Sequence, residues 1–248
     1  MNDTRDTIEI VKVIACLVWG VINLLIIIVG LLLLPYFIWQ HYEDQKRRSA
    51  KMALTAKELG MQLERALDPR MDKVHRFLRK VKGSRRYALN VISGESQGHS
   101  VTIFEYHYQR YFRGKSYEFG KYIEHHYLTY LVLDLNNEFP ELTVKEEKPA
   151  SQILSRIADA LGRGDIDFEA HEFSERYDVR SSDKKFAYDF CNTKMMEYLL
   201  EKTTVPIEVE KEALAICFPD RINQSKIEAQ LEHLVNIRTR MPGYLFAA

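Results

Sequence analysis

The sequence predicts an α+β protein with an N-terminal transmembrane helix, a helical neck, and then a largely antiparallel sheet packed with helices. Two observations predict this architecture. An uncharged apolar run near the N-terminus is long enough to cross a bilayer, and later apolar residues alternate in strands placed before and between segments of helical spacing. The predicted boundaries are an extracytoplasmic start at 1–12, the span at 13–39, the neck at 40–86 and the body at 87–248.

The predicted span runs from Val13 to Trp39 without a charged side chain. About 20 apolar residues cross a bilayer core, so this run spans it with some tilt. A cleaved signal peptide has a shorter apolar region, a basic start and a small-residue cleavage site, and this run has none of these. A buried core helix needs fewer uncharged residues. We therefore expect a retained membrane anchor.

The charges predict the orientation of that anchor. Residues 1–12 carry a net charge of −1, residues 41–86 carry 14 Lys/Arg against 6 Asp/Glu, and residues 87–248 carry 19 against 26. The positive-inside rule places the basic side in the cytoplasm, so the body is expected to be cytoplasmic in a single-pass protein. Three cysteines without a CxxC motif fit a reducing compartment.

The neck is expected to hold two helices. The first covers 43–67 and has one apolar stripe, which either packs on the body or mediates self-association. The second begins at Asp68-Pro69, a good N-cap followed by proline, and ends at Gly83. The predicted buried positions are Met52, Ala56, Leu59, Leu63 and Ala66 in the first helix, and Val74, Phe77, Leu78 and Val81 in the second.

The neck carries more cations than the helix C-terminal dipole requires. Because the span is close in sequence, we expect them to contact anionic lipid headgroups. Nucleic acid is not expected as a partner, since the body is acidic and no recognition motif occurs. The predicted lipid contacts are Lys46, Arg47, Arg48, Arg79, Lys80, Lys82, Arg85 and Arg86.

The body begins with strands and ends with a helix. Strands are predicted at 87–93, 101–109, 122–135 and 142–145, with a turn at 94–99 and a loop at 110–121. After them we predict a helix from Pro149 to Gly162, a helix from about Asp183 and a helical turn or two at 195–201. A hairpin follows at 205–218, with its turn near Lys211-Glu212. The last predicted helix begins with a Ser225/Glu228 capping box, and its buried stripe consists of Ile227, Leu231, Leu234 and Val235.

The stretch 104–130 holds seven tyrosines, three phenylalanines and three histidines. In a strand, His125 and His126 point to opposite faces, so His107 meets at most one of them. A metal site needs three or four converging ligands, and we predict none here. Around Asp165, Asp167 and Glu169 the acids are expected to face water while Ile166 and Phe168 face the core.

No catalytic motif occurs, and Cys191 and Cys217 lack the basic neighbours of a nucleophile. An active site can also be assembled from distant residues, so the missing motifs favour a non-enzymatic role without excluding an enzyme, and we expect no cofactor. Tyrosines fall on both faces of the aromatic strands, which core burial alone does not explain. The predicted partner contacts are Tyr106, Tyr108, Tyr111, Tyr122, Tyr127 and Tyr130.

The order of motifs adds a resemblance. The span precedes "AKELGMQLE", "VISGESQGHSVTIFEYHY", "YLTYLVLDL", "FPELTV" and "GDIDFEAHEFSERYDVRSSD". Over most of 50–240 this resembles uncharacterised bacterial single-span membrane proteins with a cytosolic α+β domain. The resemblance implies anchoring in a bacterial inner membrane, and it implies no activity or cofactor.

These observations favour a membrane-anchored, non-enzymatic interaction or scaffold protein whose partner is another protein or a second copy of the chain. One version of this function is a subunit of a larger membrane assembly, and the lipid bilayer is expected as a further partner. The alternative is a membrane-tethered enzyme or small-ligand sensor with a site around the His/Tyr-rich hairpin.

Overall fold

The computed structural model describes residues 3–65, 67–113, 121–146, 166, 168–202 and 205–247. They form two compact units, Met1–Ala50 and Lys51–Ala248. The helix predicted from Pro149 to Gly162 lies outside the described residues, and so do Asp165 and Asp167 of the acidic alternation.

The first unit consists of most of helix α1, Asp3–Glu58. Every large apolar side chain from Leu17 to Trp39 is exposed. The polar side chain of Asn23 is satisfied within the helix, because its amide donates to the carbonyl of Trp19 at 2.8 Å. Among the described helices, α1 is the one that length and composition suit to crossing a membrane.

The second unit contains a six-stranded sheet in which every pairing is antiparallel. Its strands are β1 (Gln62–Glu64), β2 (Ser84–Ser96), β3 (His99–Arg113), β4 (Lys121–Glu146), β5 (Tyr177–Ser181) and β6 (Ile207–Phe218). They follow the order β1-β2-β3-β4-β5, and β6 also pairs with β4. This confirms the predicted α+β class with its antiparallel sheet.

The long strand β4 bends around β6. The register between them shifts between Asp134 and Phe139, near Asn136 with its φ of 58°. Within β6, Lys211 has a φ of 52°, and the N–H of Cys217 donates to the carbonyl of Pro206 at 3.0 Å. The two ends of β6 are therefore neighbours, but the hairpin predicted at 205–218 is wrong, because β6 is one strand whose two halves both pair with β4. The strand predicted at 142–145 is the far part of β4.

Among the described residues, five further α-helices accompany the sheet: α2 (Met71–Val74), α3 (His171–Arg176), α4 (Lys184–Phe190), α5 (Thr193–Glu201) and α6 (Ile227–Arg240). Helix α4 begins as predicted, because the Asp183 side chain accepts from the N–H groups of Lys185 and Phe186. The predicted capping box of α6 is wrong. Asn223 instead accepts from the N–H of Ser225, and a 3₁₀ turn precedes the helix.

The predicted neck helices are shorter in the structure. The first ends at Glu58, because Gly60 turns the chain with a φ of 69°, and Leu63 lies in β1. Its Met52 and Ala56 are buried in the core, so this end of the stripe packs on the body. Of the other predicted positions in this helix, Leu59 and Leu63 are partly buried, and Ala66 is not among the described residues.

The second predicted helix is interrupted. Helix α2 stops at Val74, because His75 is extended with a φ of −112°, and a 3₁₀ segment continues from Arg76 to Lys80. Phe77 and Leu78 are buried as predicted, but Val74 is 67% exposed.

Two hydrophobic cores lie on the two faces of the sheet. The first joins sheet residues such as Ile103 and Leu131 to helix α6 through Leu231 and Leu234. The second joins Phe104, Tyr106 and Tyr130 to the short segment that carries Phe77 and Leu78. Helices therefore cover one face, and the 67–83 segment covers the other.

Candidate functional site

The β3–β4 hairpin has two chemically different faces. Glu105 pairs with Thr129, His107 with Tyr127, and Gln109 with His125. These side chains extend the face that carries the first core, whereas Tyr106 and Tyr108 lie on the opposite face. The sequence alternation thus predicted the distribution of histidines correctly.

We define the histidine cluster as Tyr87, Glu105, His107, His125, Tyr127 and Arg221. At its centre, Nε2 of His107 lies 2.9 Å from Nδ1 of His125. Nδ1 of His107 lies 3.2 Å from the carbonyl oxygen of Arg85. A carbonyl only accepts, so Nδ1 of His107 carries the proton and His125 donates to Nε2.

Burial lowers the pKa of His107, and the neighbouring His125, Arg221 and His126 lower it further, against the opposing effect of the Arg85 carbonyl. The ring is therefore neutral at pH 7. Both of its nitrogens are used inside the protein, which leaves neither for a metal or a proton transfer to substrate.

A buried carboxylate lies beside the histidine pair. Glu105 is fully buried, and its Oε2 accepts from the side-chain amide of Asn90 at 3.1 Å. Nε of Arg221 lies 3.5 Å from the same oxygen. The Arg221 guanidinium also stacks over the Tyr127 ring, 3.5 Å from its centroid. Charge, amide and aromatic ring together hold Glu105 in place.

His126, the neighbour of His125 in β4, belongs to the other face of the hairpin. His126 stacks on Tyr108, and its Nε2 lies 3.2 Å from a carboxylate oxygen of Glu124. In the part of the chain that the structure describes, no group of three or more His, Cys, Asp or Glu side chains is arranged to hold a metal ion.

The predicted partner tyrosines differ in accessibility. Tyr106, Tyr108 and Tyr130 are buried, and Tyr127 is partly covered by Arg221. Tyr111 is 56% exposed. Tyr122 pairs with Phe112 through its backbone, and its side chain is outside the described set. The second core thus accounts for Tyr106 and Tyr130, and Tyr108 is buried beside it, which the sequence pattern did not predict.

One end of the hairpin is apolar and exposed. Tyr111 and Ile123 are register partners, and Phe112 is next to them in β3. Their exposed fractions are 56%, 47% and 36%, respectively. Arg110 is exposed beside them. We name Arg110, Tyr111, Phe112 and Ile123 the hairpin end.

Some of the predicted lipid contacts interact with other residues of the protein, and others are exposed. Nζ of Lys80 lies 3.6 Å from Glu141, and Nη2 of Arg86 lies 3.6 Å from Asp72. The Nε–H of Arg79 donates to the Asp72 carbonyl at 2.9 Å. Lys82 and Arg85 are exposed, as are Lys46 and Arg47 in α1, while Arg48 is partly buried.

Neither described cysteine has the character of a nucleophile. Cys191 is buried. Burial raises the pKa of Cys217 to about 12 against the opposing effect of a hydrogen bond with Tyr130, so its thiol stays protonated at neutral pH.

Sequence reasoning missed several charged residues. Arg221 follows a strand end and gives no pattern of its own. Glu208 and Glu210 are buried although they are acidic, and burial raises the pKa of Glu208. The alternation of "IEVE" could have indicated their position, because it places Glu208 and Glu210 on the sheet face opposite to that of Ile207 and Val209.

No family model matches the chain, and no curated protein matches it. Among solved structures, the crystal structure of the mycobacterial trehalose monomycolate transport factor A, TtfA, is similar, with a TM-score of 0.50 and 13% sequence identity. The match covers 78% of this chain and 96% of that one. At this identity the similarity is one of fold.

Proposed function

We propose that this protein is a single-span membrane protein whose α+β body is a non-enzymatic binding module for another protein, acting as a scaffold or subunit of a membrane assembly. The observation that carries the proposal is the exposed hairpin end, an apolar surface on a body that follows a helix suited to crossing a membrane. Exposed aromatic side chains beside an arginine are typical of the centres of protein interfaces.

The charge distribution supports a cytoplasmic body. The chain after the apolar run is basic over 41–86, and the start is acidic. Among the described residues, Cys191 and Cys217 are not joined in a disulfide, which fits a reducing compartment. Together with the resemblance to bacterial single-span proteins, these features support an inner membrane location.

The geometry of the histidine cluster supports a role other than catalysis. His107 has no free ring nitrogen, and Glu105 is held by Asn90 and Arg221. For the same reason we prefer an interaction module to a ligand sensor centred on this hairpin. TtfA is named as a transport factor. Because the identity is 13%, that similarity supports the fold, and we assign no cargo to this chain.

Site-specific photo-crosslinking in native membranes tests the proposal. We expect Tyr111→p-benzoylphenylalanine and Phe112→p-benzoylphenylalanine to give a protein adduct of defined mass. Tyr188 and Tyr244 are exposed tyrosines elsewhere on the body, 50% and 61%, and the same substitution there is the matched control.

An adduct with a second copy of the chain identifies a homo-oligomer, and an adduct with another protein identifies a hetero-assembly. Recovery of the monomer alone from both hairpin positions, or equal adducts from the control positions, contradicts the proposal.

A further inference from the structure

A cleft of about 270 Å³ lies on the sheet face that carries the second core. Its floor includes Val132 and Ala213 from neighbouring strands, and His75 and Arg76 contribute to one wall. Ser100 and Thr102 add hydroxyl groups. The cleft is separate from the histidine cluster and from the hairpin end.

Glu210 gives this cleft an unusual acceptor. Its residue is 5% exposed, and neither carboxylate oxygen has a hydrogen-bond partner among the described residues. Nε of Arg76 lies 3.5 Å from Oε1, an ion pair too long for a hydrogen bond of ordinary strength. Burying a carboxylate charge without hydrogen bonds costs free energy. A ligand that donates a hydrogen bond to Glu210 would therefore stabilise this side chain substantially.

The surrounding charges favour a cation. The lining contains three carboxylates, Asp134, Glu210 and Glu212, against two cations, Arg76 and Lys211. Burial lowers the pKa of His75, so the imidazole is neutral at pH 7 and does not repel a positive ligand.

The volume of the cleft and the arrangement of its side chains favour a small organic cation over a drug-sized ligand or a metal ion. The volume is slightly below the range of about 300–1,000 Å³ usual for drug-sized ligands. The carboxylates and His75 are not arranged as a metal site in the described part of the chain. A small organic cation with a short apolar body fits the floor of Val132 and Ala213.

We propose that this cleft binds an alkylammonium group, with the Glu210 carboxylate as its anionic partner and the apolar floor beneath its alkyl chain. This site goes beyond the proposed interaction function and does not depend on it, because the hairpin end contributes no residue to the cleft.

The test is an NMR titration of the full-length chain in phosphatidylcholine nanodiscs at pH 7.5, with ¹³C-labelled histidine rings. The probe is n-butylammonium, and n-butanol is the uncharged ligand of matched size. His75 lines the cleft and reports binding, with its resonance assigned from His75→Gln. His233 lies on another part of the body and serves as the internal reference.

We expect a saturable shift of the His75 resonance with n-butylammonium, none with n-butanol and none at His233. Glu210→Gln should weaken binding about tenfold or more, since a charge-assisted hydrogen bond is lost. Glu138→Gln removes the same charge from an exposed residue outside the cleft and should leave the affinity unchanged. Arg76→Gln should strengthen binding severalfold, because it removes the competing cation.

Equal shifts with n-butanol, a non-saturating response, or an unchanged affinity in Glu210→Gln overturn the proposal. If Glu210→Gln fails to fold, the affinity of Arg76→Gln tests the proposal instead, since weaker binding in that variant is also contrary to it.

A comparison with N-acetyl-lysine methylamide shows whether the alkylammonium group comes from a protein or from a free small molecule. Tighter binding of that probe identifies a lysine side chain of a protein, and tighter binding of n-butylammonium identifies a free small amine.

Discussion

The hydroxyl of Tyr198 and Nδ1 of His233 form a hydrogen bond of 2.7 Å, which joins helices α5 and α6. Burial, together with the nearby cations Lys202 and Arg240, lowers the pKa of His233 to about 4. The folded protein therefore holds this imidazole neutral at a pH where the unfolded chain protonates it.

Stability should consequently fall in acid. With an unfolded pKa near 6.5 and a folded pKa near 4, the contribution of His233 is complete above about pH 6.5 and is lost as the pH falls towards 4. We expect a loss on the order of 2 kcal/mol, measured as the change in urea unfolding free energy of the 51–248 fragment between pH 7 and pH 4.5. His233→Gln should flatten this dependence, and His171→Gln, at an exposed residue, should not. An unchanged slope in His233→Gln would be contrary to this assignment.

The second core depends on Leu78. Its side chain is fully buried, whereas Val74 in the same segment is largely exposed. Leu78→Ala should lower the unfolding free energy by about 2–5 kcal/mol, because it leaves a cavity. Val74→Ala should change it by less than about 0.5 kcal/mol. Chemical denaturation measures both, and equal effects would show that the segment does not pack as described.

The buried Glu105 depends on Arg221. Arg221→Gln should destabilise the body by about 3–5 kcal/mol at pH 7, because it leaves a buried carboxylate without its cation. Glu105→Gln with Arg221→Gln removes both charges, and the double variant should lose less than the sum of the two single losses. A double-mutant cycle measures this coupling. Additive losses would mean that the two side chains do not interact.

The basic segment should bind anionic vesicles unevenly. Lys80 and Arg86 already lie near carboxylates, while Lys82 and Arg85 are exposed. In the 51–248 fragment, Lys82→Gln with Arg85→Gln should therefore weaken binding more than Lys80→Gln with Arg86→Gln, by up to about 1 kcal/mol for each free charge. Co-sedimentation at low salt measures the difference. If the fragment does not bind, or if the five-residue change that adds Arg79→Gln has no effect, a lipid role for this segment is wrong.

Local sequence patterns determined much of this fold. The alternation of β3 and β4 correctly separated His125 from His126, and the spacing of Ile227, Leu231 and Leu234 correctly located the buried side of α6. These features depend on residues only a few positions apart, so the pattern of burial is visible in the sequence.

Features that depend on distant residues were not predictable in the same way. The hydrogen bond between His107 and His125 requires the register of the hairpin, and Arg221 reaches Glu105 from a loop far along the chain. Strand β5 was missed because "YDVRS" is short, and its pairing with β4 stabilises it. Val74 fits a helical spacing, but the break at His75 turns it towards solvent.

The pairing of β4 with β6 has a consequence during translation. Strand β4 ends at Glu146 and its partner β6 begins at Ile207, so the ribosome adds the intervening residues, 147 to 206, before this edge can be covered. At roughly 5–20 residues per second the edge stays open for several seconds. The apolar part of α1 leaves the ribosome well before β4. Until β6 is made, the unpaired edge of β4 can pair with a strand of another nascent chain. Early binding of α1 by the membrane-insertion machinery would separate nascent chains during this interval and so reduce such mispairing.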